Sequence, residues 1–190
     1  MPRSILAWEM CFPLEPGSTA RATLREKVVQ APASMSMQAK WELYQELVFV
    51  AGPLIETASR GCWDFFDDDA RAARDFDMWT QGMITREGVR SGPLPSDPYR
   101  GERRFMTFTM AFLLVTGSAT EQRVKAACAI PEADLWKRSS FAQVLSAIAQ
   151  VNFAAVLGDV AYVLPGKDDE WALTAEDLQH PKFHYLRELG

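Results

Sequence analysis

The hydrophobic pattern changes character along Phe105–Thr116, FMTFTMAFLLVT, and the other elements can be arranged around that change. Its first half alternates Phe and Met with Thr, the period of two that marks a strand with one face toward water. From Met110 to Val115 both parities turn apolar, which predicts cover on both faces there. The Thr and aromatic content disfavours a helix. The stretch is therefore expected to be the central strand of a sheet.

Taken in order, Ile5–Phe12 predicts a first strand, with Ile5, Ala7, Glu9 and Cys11 on one face and Leu6, Trp8, Met10 and Phe12 on the other. Pro13 and Pro16-Gly17 end it. Ser18 can cap a helix over about Thr19–Gln30, and Ser36 another over Met37–Ala51. In the second, Trp41, Tyr44, Val48 and Ala51 form one stripe and Leu43, Leu47 and Val50 a second. So wide an apolar arc predicts a buried helix. Gly52-Pro53 breaks it, and Leu54–Arg60 fits a helical turn or a short edge strand, the strand being preferred. Phe65–Ile84 reads as a helix carrying Ala72, Phe76, Trp79 and Met83 on one side, with Asp67–Asp69 at the end where the helix dipole favours negative charge.

Ser91–Gly101 is rich in proline and glycine and predicts a surface loop. Beyond the central strand, Ser118-x-x-Glu121 is a capping box, and Ser139 or Ser140 caps a helix with Phe141, Val144, Leu145 and Ile148 on one face. Val156–Leu164 returns as a strand, with a bulge expected near Gly158 and Asp159. Thr174-x-x-Asp177 opens a helical turn, and Phe183, Leu186 and Leu189 fasten the C-terminus. The irregular order of elements predicts an α+β fold: a small mixed or antiparallel sheet with 105–116 at its centre and helices packed mainly on one face.

Composition adds limits. At 190 residues the chain is expected to form a single domain, 1–190, with 91–101 as its surface loop. A hydrophobic fraction of 48% and a charged fraction of 24% are those of an ordinary soluble globular protein. The net charge of -5 argues against general affinity for nucleic acid. Three widely spaced cysteines, Cys11, Cys62 and Cys128, fit reduced thiols and a cytoplasmic location. Glu9 interrupts the N-terminal apolar run, so no signal peptide is read, and no run approaches the roughly 20 residues of a membrane helix.

Three stretches resemble a family. TFTMAFLLVTG looks like a hydrophobic strand of an uncharacterised cyanobacterial and chloroplast family linked to acclimation to fluctuating light. VAYVLPGKDDEWALTAEDLQHPKFHYLREL is similar to that family's strand, short acidic turn, L-T/S-x-x-[DE]-L run and terminal P-x-x-x-L ending, and SMSMQAKWELYQELVFVAGP resembles its upstream Leu-rich helix closing on a proline. The resemblance covers about residues 34–189 and implies a fold and a non-enzymatic, regulatory or membrane-adjacent role. It supplies no catalytic residue.

Candidate chemistry is sparse. His180 and His184 stand at metal-ligand spacing, but a third ligand would have to come from an acidic residue, and Pro181 makes His180 a natural helix cap. The acidic runs Asp64–Asp69 and Asp168–Glu170 lack a calcium-loop pattern. Thr116, Gly117, Ser118 and Thr120 follow a strand and open a helix, a geometry that can cradle phosphate, without the lysine and second glycine of a P-loop. Cys62, beside Arg60, is the thiol expected to be most exposed, yet no motif supports catalysis. Arg100, Arg103 and Arg104 fit either an acidic contact or gatekeeping of the strand they precede, the second being favoured. The aromatics Trp63, Phe65, Phe66, Trp79 and Tyr99 are residue types that anchor interfaces, though they could equally cover the open face of the sheet. The expectation is a non-enzymatic interaction or regulatory domain that needs no cofactor or metal and binds a protein partner or itself. The alternative is a small enzyme or ligand-binding domain with a pocket near 116–121.

Overall fold

The computed structural model describes residues 1–15, 17–31, 34–81, 102–165 and 173–190. Among these residues five strands form one antiparallel sheet: β1 (Arg3–Leu14), β2 (Arg60–Phe66), β3 (Arg104–Val115), β4 (Val156–Leu164) and β5 (Arg187–Glu188). Their spatial order is β4-β3-β1-β2-β5. β3 is interior, as its pattern predicts, but β1 shares that status and takes the middle place. β1 pairs along its whole length with β3, from Arg3 against Val115 to Leu14 against Arg104, while β2 lies along its other side.

Alternation sorts the two faces. Leu6, Trp8, Met10 and Phe12 from β1 join Met106, Phe108, Met110 and Phe112 from β3 in the main core. Four helices cover that face: α1 (Ala20–Gln30), α2 (Met37–Ala51), α4 (Ala119–Ala127) and α5 (Arg138–Ile148). Against the other face lie α3 (Asp69–Gln81) and the C-terminal segment, through Ile5, Ala7, Ala72, Trp79 and Ala111 and, further along, Cys11, Cys62, Leu178, Phe183 and Leu186. The α+β class and the uneven loading of helices agree with the sequence pattern.

Local differences have physical reasons. The Thr107 and Thr109 side of β3 is not wet: both residues are fully buried, because the C-terminal segment lies over the alternating half of the strand. Cover thins instead at Leu113 and Val115, where both parities are apolar. Residues 54–60 do not form a strand. Gly52–Thr57 is a 3₁₀ turn continuing from α2, and the strand begins at Arg60. Phe65 and Phe66, expected in a helix, complete β2, and α3 starts only at Asp69. Gly61 makes this register possible, since a Cβ there would stand 2.5 Å from Cε1 of Phe141. α2 is half-covered rather than buried: Tyr44, Leu47 and Ala51 face the sheet, while Trp41 and Phe49 face out.

Helix starts follow cap chemistry. Ser36 accepts from the Ala39 amide and Ser118 from the Glu121 amide, and Glu121 accepts in return from the Gly117 amide at 3.2 Å. Ser18 stands one residue outside the α1 cap position, which Thr19 takes. Ser140 lies inside α5, whose cap is Lys137, and donates its hydroxyl to the Asp134 carbonyl. The bulge expected near Gly158 is present as a register shift opposite Leu113 and Leu114. The loop at 91–101 and the charged run 167–170 lie outside the described residues.

Candidate functional site

β2 brings together most of the side chains that could meet a partner. On its inner side it pairs with β1 from Arg60 to Phe66; on its outer side β5 pairs only with Arg60 and Gly61. Among the described residues, no strand lies against the outer edge of Cys62–Phe66. Such an edge presents unpaired amides and carbonyls, a template for another strand. The pleat sends Trp63 and Phe65 toward the four-helix face and Cys62, Asp64 and Phe66 toward α3. A cavity flanks the edge on each face.

The cavity on the helix side, about 470 Å³, is walled by Trp63, Phe65, Cys128, Leu135 and Trp136. The Trp63 indole is held by donating to the Leu135 carbonyl at 3.1 Å, and Trp136 is exposed at the rim. Lys125 and Asp67 close one end with a 2.6 Å ion pair. That hydrogen bond holds the Asp67 carboxyl below its ordinary range.

On the α3 side, a cavity of about 270 Å³ is lined by Cys62, Asp64, Asp75, Met78, Trp79 and Tyr185. The Trp79 and Tyr185 rings meet edge to face at 5.9 Å. Asp75 accepts from Arg71 Nε and Arg74 Nε, each at 3.2 Å. Asp64 has a weaker neighbour, the Cys62 thiol at 4.0 Å. Burial pushes the Asp64 carboxyl up, Arg71 pulls it back and Asp75 pushes it up again.

Behind Tyr185 a polar row crosses the sheet. Register places Tyr162, Thr109, Glu9 and Cys62 side by side on four adjacent strands. Glu9 is fully buried, and the Tyr185 hydroxyl donates to its Oε2 at 2.8 Å. Its Oε1 and the hydroxyl oxygens of Thr107, Thr109 and Tyr162 make no hydrogen bond of ordinary geometry. Burial raises the Glu9 carboxyl to about 7, with Tyr185 and the nearby threonine hydroxyls holding it down part of the way. A group so placed is a neutral acid below neutrality and a strained anion above it.

Other expectations find different surroundings. Cys62 is buried rather than exposed, and burial raises its thiol, as it raises Cys11 and Cys128 to about 12. A thiol raised by burial in this way is a poor nucleophile at neutral pH. Thr116 shares a 2.7 Å hydrogen bond with Ser4, Ser118 and Glu121 form the capping box, and Thr120 accepts from the Asn152 amide. Gly117 adopts a φ of 80° at the turn, and its amide is taken by Glu121. This loop spends its polar groups within the fold, and neither cavity beside β2 reaches it.

Arg104 is buried 3.7 Å from Glu102, and Arg103 stands over the Phe105 ring. Phe66 lies under the Arg71 guanidinium. Tyr99 and Arg100 lie outside the described residues. His180 Nδ1 accepts from the Lys182 amide, and His184 Nε2 lies 3.1 Å from the Gln179 carbonyl. Among the described residues no group of three or more His, Cys, Asp or Glu is placed to hold a metal ion. Nor is any described helix long and apolar enough to cross a membrane.

Sequence reasoning singled out Trp63, Phe65 and Trp79 but missed Glu9, Trp136 and Tyr185 as their neighbours. The alternation of Gly61, Trp63 and Phe65 with Cys62, Asp64 and Phe66 was a readable strand signal; the approach of Trp136 across the groove had none. Comparison with known proteins finds no family model, no curated protein and no solved structure that matches the chain. The resemblance read from the sequence therefore carries none of the argument that follows.

Proposed function

We propose that this chain is a protein-interaction domain that holds an extended segment of a partner protein along the outer edge of β2. The observation that carries the reading is the run Cys62–Phe66, unpaired on its outer edge among the described residues, with a cavity on each face. Strand addition draws affinity from main-chain hydrogen bonds and specificity from pockets that take alternate side chains. Trp63 and Trp136 supply the aromatic contact area typical of binding hot spots. The raised thiols, and a 116–121 loop already occupied by its own hydrogen bonds, favour binding over turnover. Three free cysteines support a reducing, cytoplasmic setting for it.

The test is a displayed library of extended peptides selected against the full chain, followed by amide hydrogen exchange. Protection of the Cys62–Phe66 amides by selected peptides, lost in Trp63→Ala, supports the proposal. Protection confined to another surface overturns it. A concentration-dependent dimer protected at the same amides would identify a second copy as the partner.

A further inference from the structure

The two cavities differ in chemistry, and that difference specifies the occupant of the edge. In an antiparallel pair, residues directly opposite each other share a face, and their neighbours point to the other face. A residue of the added strand opposite Asp64 therefore falls on the α3 side, into the cavity of Asp64, Asp75, Trp79 and Tyr185. The residues before and after it fall toward Trp63, Phe65 and Trp136.

We infer that the α3-side cavity receives the cationic end of a lysine or arginine side chain of the bound segment, with bulky apolar residues on either side of it. The inference rests on the strand-addition reading for how the cation is delivered. At about 270 Å³ the cavity is smaller than the roughly 300–1,000 Å³ of small-molecule sites, which suits one side chain. Its walls combine carboxylates with the rings of Trp79 and Tyr185, the surroundings in which a desolvated ammonium or guanidinium is held. Arg71 and Arg74 are occupied by Asp75 and keep about half and two-thirds of their side chains in solvent, at 48% and 68% exposure. Among the described residues, Asp64 has no cation within hydrogen-bonding reach, and the charge of Arg71 acts on it from further away.

The experiment uses the full chain and two kinds of probe. In the first arm, butylammonium and propylguanidinium are titrated by NMR beside 1-pentanol, a neutral molecule of matched size. Both cations should shift the resonances of Asp64, Trp79 and Tyr185, Asp64→Asn should weaken them at least tenfold, and the alcohol should do neither. Equal binding of cation and alcohol, or no shift from either, overturns the inference. In the second arm, a selected edge-binding peptide has its basic residue changed to glutamine. A loss of tenfold or more supports the inference; a loss under twofold overturns it while strand addition stands. Cation binding without any peptide protecting the edge would leave the cavity's preference standing and overturn the strand reading.

Discussion

The two faces of the sheet are built to different standards. The four-helix face is an apolar interior: Trp8, Phe12, Phe108, Phe112 and Phe141 are each almost or wholly buried, and the Trp8 indole finds the Phe141 carbonyl at 3.2 Å. Among the described residues the α3 face has one helix and the C-terminal segment for cover, and it buries Glu9, Thr107 and Thr109 among its apolar residues. A protein that needed only stability would gain by filling the second face with hydrocarbon, since an unsatisfied buried polar group costs about 1–3 kcal/mol. The contrast assigns stability to one face and adjustable chemistry to the other.

The comparison breaks first if the apolar face is not the stronger one. Trp8→Ala removes a fully buried indole and should lower the unfolding free energy by about 4 kcal/mol, measured by urea denaturation. A loss under about 1 kcal/mol would mean that this face is not the main source of stability.

Glu9 gives the next largest effect. Its folded pKa of about 7 lies above the ordinary 4.5, so between those values the folded state holds a proton that the unfolded state has released. Stability is therefore full below pH 4.5 and declines as pH rises through 7, by about 3 kcal/mol in all. Glu9→Gln should remove this part of the pH dependence when thermal midpoints are compared from pH 4.5 to 8. Tyr185→Phe should move the decline to higher pH, because the lost hydrogen bond favours the carboxylate. An unchanged profile in Glu9→Gln would contradict the assignment.

Gly61→Ala comes third. The new methyl meets the Phe141 ring, and the repacking should cost about 2 kcal/mol of unfolding free energy. It sharpens the comparison because Gly61 joins β2 to the apolar face, whereas Cys62 and Asp64 belong to the other. Ser118→Ala is the smallest: loss of the side-chain cap on α4 should cost about 1 kcal/mol with no change in pH dependence.

The apolar face was also the readable one. Periodicity located β1, α2, β3, α5 and β4 closely, because each carries a long apolar set at one spacing. Reading failed where short-range and tertiary preferences competed. β2 was placed too early, then absorbed into the next helix, because Phe65 and Phe66 suit either structure until Leu6 and Ile5 pair with them. Thr107 and Thr109 read as wet because a hydroxyl in an alternating strand normally is; the returning C-terminal segment covers them. The candidate site was half legible. Trp63, Phe65 and Trp79 stood out by residue type, but Glu9 looked like any outward polar residue, and Tyr185 and Trp136 reach β2 from distant parts of the chain.

The place of β1 carries a consequence for how the molecule comes into being. The strand at the middle of the sheet leaves the ribosome before both of its neighbours, and β3, its longest partner, follows roughly a hundred residues later. Until then β1 has only the shorter β2 to pair with and its β3 side is bare, so nascent chains should depend on chaperones, and refolding should be slow for a protein of this size.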